Sequence, residues 1–222
     1  MAIADTARPP ATPARPKPRL RGMFHLAAFP VSILTGCVLL LFVGEGAAAK
    51  VGTGIYALSC TVLFGVSALY HRGTWDRRTH ALLRRLDHSN IFLLIAGTYT
   101  PVSLALLDGT TERAVLVTVW AGAVAGIVFR VAWLSAPAWL YTPFYVALGW
   151  VAIAVMPELW SENTAVAVLL LTGGVAYSAG GVVYALRRPD PAPLVFGYHE
   201  IFHACTLVGF ATHYAGVVIA VR

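Results

Sequence analysis

Seven blocks of mostly apolar residues, at approximately 24–44, 49–71, 87–107, 113–134, 138–157, 164–186 and 196–220, dominate the chain. A run of about 20 such residues crosses the hydrocarbon core of a bilayer as a helix. The blocks are apolar all round rather than along one stripe, as expected of segments that face lipid and one another. Charge is scarce: 12% of the 222 residues are Asp, Glu, Lys or Arg, about half the share usual in soluble domains. The expected fold is all-α, a seven-transmembrane helix bundle over residues 22–222. The first block is followed by "GAAAK", which offers small residues for a signal-peptide cut. Its apolar run exceeds the 7–15 residues of a signal core, and it is kept as a membrane helix.

Residues 1–21 differ from the rest. They are rich in Pro, Ala and basic residues, and are predicted to form a disordered cytoplasmic tail ending in the cluster Arg15, Lys17, Arg19 and Arg21. With Arg8 these make five Lys/Arg. The connection between blocks two and three adds Arg72, Arg77, Arg78, Arg84 and Arg85. Arg130 follows block four, and Arg187 and Arg188 follow block six, so thirteen basic residues fall on one side of the membrane. The other side has three, Lys50, Arg113 and Arg222, and collects the acids Glu45, Asp108, Glu112, Glu158 and Glu162. This bias places the N-terminus in the cytoplasm and the C-terminus outside. The net charge of +6 is thereby read as topology, with anionic lipid headgroups as the partner at the cytoplasmic face and no role for nucleic acid.

Other features of the blocks have plain structural readings. Cys37, Cys60 and Cys205 lie in apolar blocks without C-x-x-C spacing and read as small buried hydrophobes. Gly122 and Gly126, and the glycines between 173 and 181, suit close helix packing in lipid. Pro30, Pro101 and Pro143 fall inside blocks and are expected to bend them.

Ionisable groups within the blocks are expensive in hydrocarbon and carry the functional reading. His71 ends the second block in "SALYH", with Ser67 one turn deeper on the same face. Asp87 opens the third block, in its first predicted turn. His199 and His203 open the seventh, four residues apart and so only about 40° apart around a helix. All of these ends fall on the basic side, so segments two, three and seven bring metal-ligand types to one depth. Three neutral imidazoles with one carboxylate or water make a tetrahedral Zn²⁺ site with an exchangeable position. His25 is predicted to face headgroups and His80 to be solvated. His88 points about 100° from Asp87, and His213 is expected to line the bundle above the site.

His199-Glu200-Ile201-Phe202-His203 also matches H-E-x-x-H, the zinc-protease string with Glu as base. "LDG" at 107–109 even resembles the second motif of intramembrane site-2 proteases. Asp108, however, is predicted at the outer end of the third helix, roughly 30 Å away, and the order of the motifs is reversed. The protease reading is set aside.

Ser67-x-x-x-His71, Asp87 before "IFLLIAGTYTP", and His199-x-x-x-His203 together resemble the progestin and adipoQ receptor family, whose bacterial branch is called hemolysin III. The resemblance covers nearly all of the chain after residue 21. It implies seven helices with the N-terminus inside, in a bacterial plasma membrane, and zinc held by His71, His199 and His203. Asp87 and Ser67 are implied beside the attacking water. Adiponectin receptors have Gln where Glu200 stands, which argues against Glu200 as a base. Three functions follow as expectations. One is zinc-dependent, ceramidase-like hydrolysis of a lipid amide or ester in membrane homeostasis. The second is a non-enzymatic lipid sensor with structural zinc, and the third, last, is a pore.

Overall fold

The computed structural model describes residues 17–222, and Arg8 and Arg15 of the basic tail lie outside that range. Eight α-helices follow: α1 Met23–Phe42, α2 Ala47–Arg72, α3 Arg77–Leu106, α4 Gly109–Ala132, α5 Ala138–Gly149, α6 Met156–Glu162, α7 Thr164–Leu186 and α8 Tyr198–Ala220. A 3₁₀ turn over Trp150–Val155 joins α5 to α6, and these form one span, Ala138–Glu162. Among the described residues seven helical spans are therefore long and apolar enough to cross a membrane. Side chains such as Leu41, 79% exposed, and Val117, 68% exposed, face outward from the bundle, where only lipid solvates them favourably.

Neighbours in sequence pack on one another: α1 on α2, α2 on α3, α3 on α4, and α7 on α8. α8 also meets α1 and α3, and α5 meets α3 and α7, which closes the bundle around a central space. The small residues do what their spacing predicts. A side chain at Gly126 would fall 2.3 Å from Phe92, and one at Gly180 would fall 2.8 Å from Cys205. These two glycines let α4 approach α3 and α7 approach α8.

α3 begins ten residues before its apolar block. Asp76 caps it, accepting from Arg78 N at 2.8 Å and Thr79 N at 3.2 Å. Bonds from Thr79 and Arg78 hold the Asp76 carboxyl below its usual range. The cap starts a basic, water-facing stretch of helix that hydropathy alone does not register. Asp87 is consequently in the third turn of α3, not the first. The tail's end departs from a free chain as well: Arg19 N donates to Leu194 O at 2.9 Å and Leu20 N to Val195 O at 3.2 Å. Arg130 is not a loop charge. It is fully buried in the last turn of α4, with its guanidinium 4.2 Å above the Tyr141 ring and Nη1 donating to Trp133 O. A cation over an aromatic face loses less on leaving water.

The break in the fifth span frees backbone groups that lipid cannot satisfy. Tyr99 of α3 meets both: its hydroxyl donates to Gly149 O at 2.8 Å and accepts from Ala152 N at 2.6 Å. Trp150 is fixed in turn by donating to Ser178 Oγ at 2.8 Å. Tyr99→Phe should lower stability by about 1–2 kcal/mol, read as a lower thermal midpoint in detergent. An unchanged midpoint would mean that the break is held by packing alone.

Candidate metal centre

Each of the three histidines is placed by the element around it. His71 is in the last turn of α2, and Gly22 lies against it in a left-handed turn with φ 76°. A side chain at Gly22 would fall 2.6 Å from His71 Cβ, so only glycine lets the chain cross here. His199 and His203 point from adjacent turns at the start of α8. Glu200 fixes that start by accepting from Gly197 N at 2.9 Å, which satisfies a donor the helix end would leave orphaned.

All three imidazoles are buried. One nitrogen from each lies within 4.8 Å of the others, a group that could hold a metal ion. The fit can be tested by distance. Nitrogens about 2.0–2.1 Å from a tetrahedral ion lie about 3.3 Å from one another. His71 Nε2 and His199 Nε2 are 3.2 Å apart, close to such an edge. Asp87 Oδ2 stands 3.9 Å from His71 Nε2 and 3.7 Å from His88 Nδ1. A set of three neutral imidazoles beside one carboxylate suits a divalent metal of borderline softness.

Ser67 is buried one turn below His71, and its partner is one the sequence reading misses. His25, predicted to face headgroups, is 3% exposed and bonded through Nδ1 to Ser67 Oγ at 2.8 Å. Its ring is stacked on His203 with centroids 3.7 Å apart and planes parallel. An ionisable residue three positions into an apolar helix was the available signal. Headgroup exposure is the alternative only if the turn faces outward, and α1 turns it toward α8.

The remaining candidates separate cleanly. Glu200 is 1% exposed and receives Arg21 Nε on Oε1 at 2.6 Å. It anchors the N-terminal segment instead of facing a loop or headgroups. His88 Nδ1 bonds the Arg84 carbonyl at 2.8 Å. His80 is exposed on the basic stretch of α3. His213 is ten residues from His203 on α8, and Asp108 lies beyond the far end of α3.

The histidine group lies at one end of a cavity. On α3 the lining passes from Asp87 through Ile91, Leu94, Thr98 and Val102 to Leu107. Twenty residues of helix cover about 30 Å, the thickness of the hydrocarbon core. Water centres could occupy about 160 Å³ of this cavity, room for many waters or one chain-like molecule. Apart from a few hydroxyls and rings, the lining beyond the metal end is apolar.

The profile of the family described as Haemolysin-III related matches residues 14–214. The chain is 37% identical over 158 residues to the Hemolysin-3 homolog of Bacillus subtilis (strain 168), covering 71% of each protein. It is 34% identical over 166 residues to Hemolysin-3 of Bacillus cereus, covering 74% of this chain and 73% of that one. Seven apolar spans and these bacterial relatives make it a multi-pass protein of a bacterial membrane. It belongs to the haemolysin-III-related family.

Proposed function

We propose that this protein is a zinc-dependent hydrolase of a lipid amide or ester, acting in membrane lipid homeostasis with its metal centre toward the cytoplasm. The observation that carries the reading is the placement of three histidines and Asp87 at the polar end of an apolar cavity as long as a lipid leaflet pair. The bias of basic residues supports the orientation. His71, His199 and His203 would hold Zn²⁺, which supplies Lewis acidity to a carbonyl and lowers the pKa of water toward about 7.

The chain's own residues supply the rest. The cavity takes the acyl chain and aligns its carbonyl with the histidine end, excluding bulk water from the reacting atoms. Asp87 accepts a proton from the attacking water at Oδ2 and returns it to the leaving nitrogen or oxygen. Ser67 donates a hydrogen bond to the oxygen that gains charge. His25 holds Ser67 Oγ in place and stacks on His203, so it orients both. Glu200 takes no part in proton transfer, because both of its oxygens are engaged by Arg21 and Gly197.

The relatives' name suggests lysis by a pore. A conducting path calls for polar groups or water along its length, and a lining from Ile91 to Leu107 that is apolar except for Thr98, Tyr99 and Ser103 speaks against one.

Purified, zinc-loaded protein incubated with bacterial membrane lipids and with ceramides should release free fatty acid, read by mass spectrometry. Asp87→Asn should lower that turnover by about 10²–10⁴-fold with bound zinc unchanged, and His203→Ala should lose the zinc itself. Full turnover in Asp87→Asn removes the assignment. No product from any lipid, together with a thermal midpoint that falls on chelation, would favour a structural metal in a lipid sensor. Glu200→Gln provides the contrast. It should reduce thermal stability by weakening the Arg21 pair and leave turnover per folded, zinc-loaded molecule within about twofold, since no transition-state contact is removed. A loss comparable to that of Asp87→Asn would return Glu200 to the chemistry.

A further inference from the structure

A second polar station lies within the cavity, well away from the metal centre. His213 lines it from α8, ten residues and so about 15 Å beyond His203. α7 makes room for the ring: a side chain at Gly173 would fall 2.2 Å from His213 Cδ2. His213 Nε2 bonds the carbonyl of Leu170 at 3.0 Å. A carbonyl oxygen can only accept, so Nε2 carries the hydrogen and Nδ1 of the neutral ring presents a lone pair. That nitrogen makes no hydrogen bond among the described residues.

Three of the polar groups in the same lining are engaged elsewhere. Thr98 Oγ1 donates to Leu94 O at 2.8 Å, Tyr99 serves the break in the fifth span, and Trp150 donates to Ser178. If His213 served only to tie α8 to α7, one donor would suffice. The ring is half-buried and lines the cavity, and Nδ1 is not sealed off from it, so that nitrogen is open to a donor brought in by the cavity's occupant.

We infer that the cavity selects an acyl chain carrying a hydroxyl group about 15 Å from its carbonyl, with His213 Nδ1 accepting from that hydroxyl. The distance corresponds to roughly twelve carbon–carbon bonds of an extended chain. The inference rests on the lipid reading of the cavity and adds the class of chain it prefers. An unsubstituted chain leaves the lone pair unmatched.

The test compares 12-hydroxyoctadecanoate with octadecanoate, binding each to the full zinc-loaded protein in nanodiscs. Wild type should bind the hydroxylated acid roughly three- to tenfold more tightly, the worth of one net hydrogen bond. His213→Leu should bring the ratio to one, because it removes both the acceptor the hydroxyl uses and the unmatched lone pair that octadecanoate meets in wild type. Gly173→Ala, which displaces the ring, should do the same. Equal affinities in wild type overturn the inference and leave the lipid reading standing, as does a preference that survives in both variants. Failure of both acids to bind overturns the lipid reading and this inference with it.

Discussion

Hydrocarbon offers no hydrogen bonds, so each polar group inside this bundle must find its partner within the protein. That constraint accounts for much of the architecture. The break in the fifth span exists because Tyr99 serves both freed backbone groups, and Trp150 is held by Ser178 from α7. The same constraint governs the histidines. Three imidazole nitrogens drawn together among buried side chains would be mutually unfavourable as donors and wasteful as acceptors. A divalent cation held between them would resolve the conflict by using all three lone pairs at once.

A segment outside the spans packs beside the histidine group. Residues 19–21 bond to the 194–195 loop and to Glu200, and Lys17 Nζ reaches Gly73 O at 3.2 Å. Gly22 then turns the chain over His71 into α1, whose His25 is stacked on His203. One short stretch thus connects the ends of α2 and α8, the two helices that carry His71, His199 and His203. Its basic residues Lys17 and Arg21 serve as struts between those ends.

What the sequence makes legible follows from the range of the forces involved. The seven spans are readable because hydropathy is summed over about twenty residues and local errors cancel. The depth shared by His71, Asp87, His199 and His203 follows from counting residues along alternating helices. The start of α3 is lost because a basic, solvated helix has no apolar signal, and only the Asp76 cap marks it. His25 and Arg130 are lost for another reason. Each sits near a helix end, where one turn of rotation decides between headgroups and bundle interior, and that rotation is set by neighbouring helices. The Arg21–Glu200 pair joins residues 179 positions apart, beyond any local pattern.

The H-E-x-x-H string shows how one helical turn can carry two unrelated tasks. Residues four apart share a face, so His199 and His203 both turn inward to the metal group. Glu200 is about 100° round from His199, and that rotation aims it at the N-terminal segment. There it caps its own helix and holds Arg21. In a soluble zinc protease the same Glu acts as the general base at the metal; here the place beside the histidines is taken by Asp87 from α3, 3.9 Å from His71. With its carboxylate fixed on the far face, Glu200 can be Gln in a relative without disturbing the chemistry, since an amide oxygen still caps the helix. The string therefore sets two inward imidazoles and a helix cap, and under the proposed chemistry the proton-handling group has to be sought on another helix at the same depth.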